Sequence, residues 1–127
     1  MTVPQLIGAV LYAKDPERLA AFYAAVAGLQ VTSRQESFLV LGSPSAQLVI
    51  VRIPKRITDT VEIAAPPIRR ERAAIKLVFA VEDIEGARAK AAELGGELKP
   101  SSREWEFEGA RVCDGHDPEG NVFQLRC

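Results

Sequence analysis

The sequence is poor in cysteine and has almost no excess charge. Its 127 residues include two cysteines, Cys113 and Cys127, which are too few for a disulfide framework and are therefore expected to be free thiols. There are 16 basic and 17 acidic residues, which leave a net charge of −1. Such a balanced charge provides no field to gather nucleic acid or an anionic membrane, so neither is expected as a partner.

Long apolar runs are also missing. No segment approaches the ~20 consecutive apolar residues that a membrane-spanning helix requires. The stretch from Met1 to Leu6 lacks the basic and apolar regions of a signal peptide, so a cytoplasmic location is expected. The chain is 47% apolar and 26% charged, which is typical of a single folded domain covering residues 1–127.

The chain does contain an internal repeat. Residues 8–15, GAVLYAKD, align with residues 76–83, KLVFAVED, and Gly28 aligns with Gly96 at the same offset. In each copy an apolar run leads to an aspartate, then to apolar residues at helical spacing, and then to a glycine. This order predicts a strand followed by a helix that begins after the aspartate and ends at the glycine.

The residues after each predicted helix have β-like composition and show no helical periodicity. Turn-forming stretches, such as GSPS at 42–45 and DPEGN at 117–121, separate consecutive segments and favour antiparallel pairing. Three strands are therefore predicted after each helix, which makes each copy a βαβββ module. The modules are expected at about residues 5–54 and 74–127, joined by a linker at about 55–73.

This duplicated arrangement resembles the vicinal oxygen chelate superfamily, which includes glyoxalases, bleomycin-resistance proteins and extradiol dioxygenases. The matching pieces are the strands leading into DPERLAAFY at 15–23 and VED at 81–83, and the ending DPEGNVFQL at 117–125. The resemblance implies an α+β fold in which two βαβββ modules form one open, incomplete eight-stranded barrel with helices outside. It also implies a ligand site in the concavity and a homodimer, for which PPI at 66–68 offers an apolar arm.

Members of this superfamily usually hold a divalent metal with side chains from the first and last strands of each module. The matching positions here are Gly8, Ile50, Lys76 and Gln124. Glycine and isoleucine offer no donor atom, a protonated lysine repels a cation, and glutamine is a weak neutral ligand. The resemblance therefore implies a degenerate metal site, and neither a metal nor another cofactor is expected.

Strand alternation indicates, independently of the resemblance, which residues face the concavity. One set of alternate residues is wholly apolar and is expected to pack on the helices. The other set contains three cations and an amide but no carboxylate, and it is expected to line the concavity: Gly8, Val10, Tyr12, Leu48, Ile50, Arg52, Lys76, Val78, Ala80, Val122, Gln124 and Arg126. Such a surface favours an anionic or carbonyl-containing small molecule held by charge-assisted hydrogen bonds.

The candidate ligand-binding residues come from this face, with one tryptophan added as a stacking surface. They are Lys76, Gln124, Arg126, Arg52, Tyr12 and Trp105. Alternatives stay open for three of them. Arg52 and Arg126 lie near strand ends and could equally extend into solvent, and Trp105 could pack in the core or in a dimer.

Three other features are expected to be structural. His116, the only histidine, is predicted to be a turn residue rather than a general base or a metal ligand. Cys113 has no basic neighbour in the sequence and is not expected to be a nucleophile. The cluster RRER at 69–72 is predicted to be a solvated part of the linker rather than a docking site.

The leading hypothesis is a metal-independent protein that binds or sequesters a small molecule. The alternative is a lyase, isomerase or dioxygenase of the same superfamily, acting on a small carbonyl or aromatic substrate without a metal or with non-standard ligands. A protein-interaction module with a filled concavity is the third hypothesis. The sequence identifies no catalytic residue.

Overall fold

The computed structural model describes residues 3–127; Met1 and Thr2 lie outside the described part. Its helices and strands follow the order of the predicted repeat. In chain order they are β1 (Gly8–Ala13), α1 (Pro16–Ala27), β2 (Gln30–Arg34), β3 (Phe38–Gly42), β4 (Gln47–Arg52), α2 (Lys55–Thr58), β5 (Leu77–Ala80), α3 (Ile84–Glu93), β6 (Glu97–Leu98), β7 (Trp105–Phe107), β8 (Ala110–His116) and β9 (Val122–Arg126). None of the helices among these residues is long and apolar enough to cross a membrane.

The strands form two sheets, one from each copy of the repeat. The first has the order β1-β4-β3-β2, and the second has the order β5-β9-β8-β6 with β7 also paired to β8. In both sheets the first strand runs parallel to the last strand of its copy, whereas the other neighbours are antiparallel. The predicted α+β fold with an open two-module arrangement is confirmed.

The described residues contain nine strands rather than the expected eight. The additional strand arises in the second copy, where a 3-10 turn at Ser101–Arg103 separates β6 from β7. Both of these short strands pair with β8: β6 pairs with its C-terminal end, and β7 pairs with its N-terminal half. The linker also contains one short helix, α2, where no periodicity was expected.

The two long helices begin and end close to the predicted residues. Asp15 caps α1, because its side-chain oxygen accepts a hydrogen bond from the backbone N–H of Arg18 at 3.2 Å. Gly28 ends α1 with φ +74°, a conformation in which a side chain would be strained. Asp83 stands at the equivalent position before α3, but its side chain makes no capping hydrogen bond.

One hydrophobic core joins both copies, because α1 and α3 contact each other and pack on the same side of the two sheets. The aromatic residues of α1 reach the second sheet. The ring of Phe22 packs edge-on against Phe123 at 5.7 Å, and the ring of Tyr23 lies 5.5 Å from Phe79. The side chains that fill this core from the sheets include Leu39, Leu41, Leu48, Ile50, Leu98, Phe123 and Leu125.

A buried carboxylate fastens α1 to the turn that precedes β9. Asp117 is fully buried, and its Oδ2 accepts a hydrogen bond from the Tyr23 hydroxyl at 2.7 Å. Its Oδ1 accepts from the backbone N–H groups of Glu119, at 2.8 Å, and Asn121, at 3.1 Å. Burial raises the pKa of Asp117, and these hydrogen bonds oppose that rise by stabilising the charged form.

Glu119 in the same turn makes a second connection to the first copy. Its Oε1 and Oε2 accept from the backbone N–H groups of Lys14 and Asp15, each at 2.8 Å. These two N–H groups lie where β1 passes into α1. The turn therefore contacts α1 in two ways. Glu119 satisfies backbone donors at the start of the helix, and Asp117 holds the side chain of Tyr23.

Replacing Tyr23 by phenylalanine removes one of the hydrogen bonds that compensate the buried Asp117 carboxylate. We expect the Tyr23→Phe variant to lose about 1–3 kcal/mol of unfolding free energy at neutral pH. The loss should shrink as the pH falls and Asp117 becomes protonated, because the hydroxyl donates to the ionised form. Urea unfolding at several pH values measures both effects.

The matched control is Tyr12→Phe, since the Tyr12 side chain is 65% exposed. This variant should unfold at the wild-type urea concentration. Equal unfolding free energies for Tyr23→Phe and Tyr12→Phe would contradict the anchoring role of Asp117.

Candidate functional site

Because α1 and α3 cover one side of both sheets, the opposite side is covered by neither of these helices; we call it the open face. In the first sheet the open face is apolar. Val10 and Tyr12 of β1 are exposed there, and the register places Val49 and Val51 of β4 beside them. The second sheet carries the polar and aromatic side chains of the open face.

The structure corrects the expected orientation of β4. Leu48 lies opposite Ala9 and is buried in the core with Ile50, so both side chains point to the helices. The assignment of Leu48 and Ile50 to the concave face is therefore wrong. Val49 and Val51 occupy the open face instead. Strand alternation shows which residues of β4 share a face, but it does not show which face packs on the helices, because both faces are apolar.

Arg52 at the end of β4 also lies on the helix side, contrary to the expected face. It stands opposite Ala13, whose side chain is in the core. Arg34 lowers the pKa of Glu17 in the first turn of α1, and the charge of Arg52 contributes to the same shift. The structure thus does not bring Arg52 together with the other candidate residues.

Three of the candidate residues belong to one hydrogen-bond network that is centred on the carboxylate of Asp114. Lys76 Nζ donates to Asp114 Oδ2 at 2.7 Å, and Gln124 Nε2 donates to Asp114 Oδ1 at 3.2 Å. Arg126 Nε in turn donates to Gln124 Oε1 at 2.9 Å. The guanidinium of Arg126 also lies over the ring of Phe107, 4.9 Å from its centre. We call Lys76, Asp114, Gln124 and Arg126 the Asp114 network.

Asp114 is the residue of this network that sequence reasoning missed. The concave face was expected to contain no carboxylate, and that expectation is wrong. Asp114 of β8 lies opposite Gln124 of β9, so the two side chains share the open face. Both sets of alternate residues in β8 contain a charged side chain, so strand alternation alone does not identify the face on which Asp114 lies.

The two aromatic candidates lie on different sheets. Trp105 of β7 is opposite Val112, which is itself opposite Arg126, so the three form one row across the open face. The Trp105 side chain is 39% exposed. Tyr12 lies on the open face of the first sheet, among apolar neighbours. Trp105 is therefore the aromatic candidate that shares a sheet with the Asp114 network.

A cleft of about 650 Å³ lies between β1 and β4 of the first sheet, the end of α1, and β5 of the second sheet. Gly8 and Gln47 line it from the first sheet, and Lys76, Val78 and Phe79 line it from the second. Lys76 thus borders the cleft and belongs to the Asp114 network.

The register of the two sheets identifies the residue that corresponds to Gln124. Val10 lies opposite Val49 in the first sheet, and its repeat counterpart Val78 lies opposite Gln124 in the second. The counterpart of Gln124 is therefore Val49, and the expected assignment of Ile50 is wrong by one residue. Valine offers no donor atom for a metal either.

The residues at these positions do not fit the divalent metal that the resemblance implies. A Cβ atom at Gly8 would overlap the carbonyl oxygen of Gln47, so a ligating side chain there requires backbone movement. The Lys76 ammonium and the Gln124 amide are both engaged in the Asp114 network. Within residues 3–127, no three His, Cys, Asp or Glu side chains are grouped to hold a metal ion.

His116 and Cys113 occupy different environments on β8. His116 is the last residue of the strand rather than a turn residue, and burial lowers the pKa of its imidazole below the ordinary value. Cys113 is buried with its Sγ 3.5 Å from Nη2 of Arg88, so it has a basic neighbour that the sequence did not reveal. Burial nevertheless raises the pKa of the Cys113 thiol, which disfavours the nucleophilic thiolate.

The linker contributes one arginine to the open face. Arg69 was expected to be solvated, but its side chain is only 14% exposed, so that expectation is wrong. Its Nη2 lies 3.8 Å from Asp114 Oδ2. The contact joins segments far apart in the chain, and no local sequence signal predicts it.

Comparison with protein families matches a glyoxalase-like domain to residues 8–126. No curated protein matches the chain. Solved structures do match over nearly its full length. One is a glyoxalase/bleomycin resistance protein/dioxygenase family enzyme from Burkholderia phytofirmans PsJN, with 20% identity, 94% of each chain covered and a TM-score of 0.66.

Two further solved structures show the same fold. A glyoxalase/bleomycin resistance protein from Albidiferax ferrireducens T118 has 16% identity, with 95% of this chain and 96% of that chain covered and a TM-score of 0.68. The fosfomycin resistance protein FosX from Mesorhizobium loti has 15% identity, with 99% and 92% covered and a TM-score of 0.66. Since the family match spans almost the whole chain, this protein belongs to the glyoxalase-like domain family of the vicinal oxygen chelate superfamily.

Proposed function

We propose that this protein binds or sequesters a small anionic or carbonyl-containing molecule on the open face of its second sheet, without a resident metal. The observation that carries the proposal is the Asp114 network beside the cleft. Lys76 and Arg126 supply two positive charges, whereas Asp114 supplies one negative charge. The network therefore keeps an excess of positive charge that favours an anion.

Hydrogen-bond donors remain for such a ligand. The ammonium of Lys76 has three N–H donors, and Asp114 accepts one of them at 2.7 Å. The Lys76 side chain is 36% exposed, so a ligand can reach it. Trp105 and Phe107 are exposed on the same face and offer apolar surfaces against which a planar ligand can stack.

Binding is better supported than the lyase, isomerase or dioxygenase alternative. Proton abstraction beside a carbonyl needs a base that is free to accept the proton. The Asp114 carboxylate is not free in this sense, because it already accepts hydrogen bonds from Lys76 and Gln124. The cytoplasmic location remains part of the proposal, supported by the free thiols of Cys113 and Cys127.

Replacing Lys76 by methionine should weaken the binding of small carboxylates and phosphates, beginning with benzoate and inorganic phosphate. A charge-assisted hydrogen bond contributes about 1.5–3 kcal/mol, so the affinity should fall by at least tenfold. Isothermal titration calorimetry on the folded variant measures the loss. Arg72→Met is the control, because Arg72 is an exposed linker residue and its loss changes the net charge equally. Equal losses for both variants would refute the placement of the site.

We also propose that the protein is a homodimer in which a second copy covers exposed apolar residues of the open face and linker. Val10 and Tyr12 on β1, together with Ile68 in the linker and Ile75 just before β5, are exposed in the single chain. Their burial against another copy would be favourable. Light scattering at micromolar concentration should give twice the chain mass of 13.8 kDa. A mass near that of one chain would rule the dimer out.

A further inference from the structure

The guanidinium group of Arg69 lies against the Asp114 network without a full set of partners. Its Nη2 is 3.8 Å from Asp114 Oδ2, and its Nε is 3.6 Å from Glu71 Oε1. Both distances exceed those of hydrogen bonds. Within the described part of the chain, the buried Nε and Nη1 atoms of Arg69 have no hydrogen-bond acceptor.

This arrangement is costly for the protein alone. Burying a charged group is unfavourable unless it is both paired and hydrogen-bonded. Two carboxylates approach Arg69: the exposed Glu71 at 3.6 Å, and Asp114 at 3.8 Å, which already forms a 2.7 Å ion pair with Lys76. Arg69 therefore adds a positive charge that Asp114 does not neutralise, and it adds N–H donors that need an acceptor.

The backbone holds Arg69 in this place. The N–H of the neighbouring Arg70 donates to the carbonyl oxygen of Gly120 at 2.9 Å. The carbonyl oxygen of Ile68 lies so close to Gly120 that a Cβ there would overlap it. The linker is thus seated on both sides of Arg69 against the turn that contains Asp117. A side chain positioned by two backbone contacts is well suited to bind a ligand specifically.

We propose that Arg69 and Lys76 together form an oxyanion subsite for a carboxylate or phosphate group of the ligand. The inference rests on the proposed function and makes it more specific, because it names the group that the ligand presents and assigns a linker residue to it. An oxyanion accepts hydrogen bonds from Nη2 of Arg69 and Nζ of Lys76, which both lie near Asp114 Oδ2, and it balances the excess charge around that carboxylate. The linker is then part of the binding site.

Calorimetric titrations with inorganic phosphate and, separately, with benzoate test this subsite. The wild-type protein should bind at least one of them, and the tighter one shows whether the subsite prefers phosphate or carboxylate. The Arg69→Gln variant should bind that probe roughly ten- to a hundredfold more weakly. Arg72→Gln removes the same charge from an exposed position in the same linker and should bind as the wild type does.

Urea unfolding of the same variants separates a ligand-binding role from a structural one. Without ligand, Arg69→Gln should unfold no earlier than the wild type, because it removes an incompletely paired buried charge. Earlier unfolding with unchanged affinity would make Arg69 a structural residue and overturn the proposal. If Arg69→Gln does not fold, Arg69→Met, which keeps the apolar stem, takes its place; failure of both variants to fold would likewise overturn it.

Two outcomes separate a failure of the Arg69 subsite from a failure of the proposed binding face. Lost binding in Lys76→Met with wild-type binding in Arg69→Gln would overturn the role of Arg69 and leave the binding face intact. Binding of neither probe by the wild-type protein would overturn the anion site and the subsite together.

Discussion

The fold depends on the buried carboxylate of Asp117. It accepts hydrogen bonds from the Tyr23 hydroxyl of α1 and from backbone N–H groups of its own turn, so a helix of the first copy is fixed to the second. Glu119 of the same turn satisfies two backbone donors at the start of α1. With α1 fixed in this way, both long helices lie on one side of the two sheets. Neither long helix covers the other side, and the candidate site lies there.

Asp117 and Asp114, two aspartates of the second copy, have different roles. Asp117 is fully buried, and its hydrogen-bond partners within the chain match its capacity, which is the pattern of a structural residue. Asp114 is near the surface and is approached by more positive charge than it can neutralise, since Lys76 and Arg69 converge on its Oδ2. That imbalance is the physical basis for assigning anion binding to the open face.

The sequence predicts the repeat, the two long helices and the face of the second sheet, because these depend on local patterns. In β9 the apolar residues Phe123 and Leu125 alternate with the polar residues Gln124 and Arg126, so the two faces are distinguishable. Both faces of β4 are apolar, and there the prediction placed Ile50 on the wrong side. Arg69 reaches the site through a linker contact, which depends on tertiary structure and has no local pattern.

The most direct test of the account is to map where an oxyanion binds. In a two-dimensional ¹H–¹⁵N NMR titration with inorganic phosphate, the backbone amides of Val78, Asp114 and Gln124 should shift in a saturable manner, together with the side-chain amide of Gln124. These residues are adjacent on the second sheet and border Lys76. Saturable shifts confined to other parts of the molecule, or none at all, would contradict the central claim.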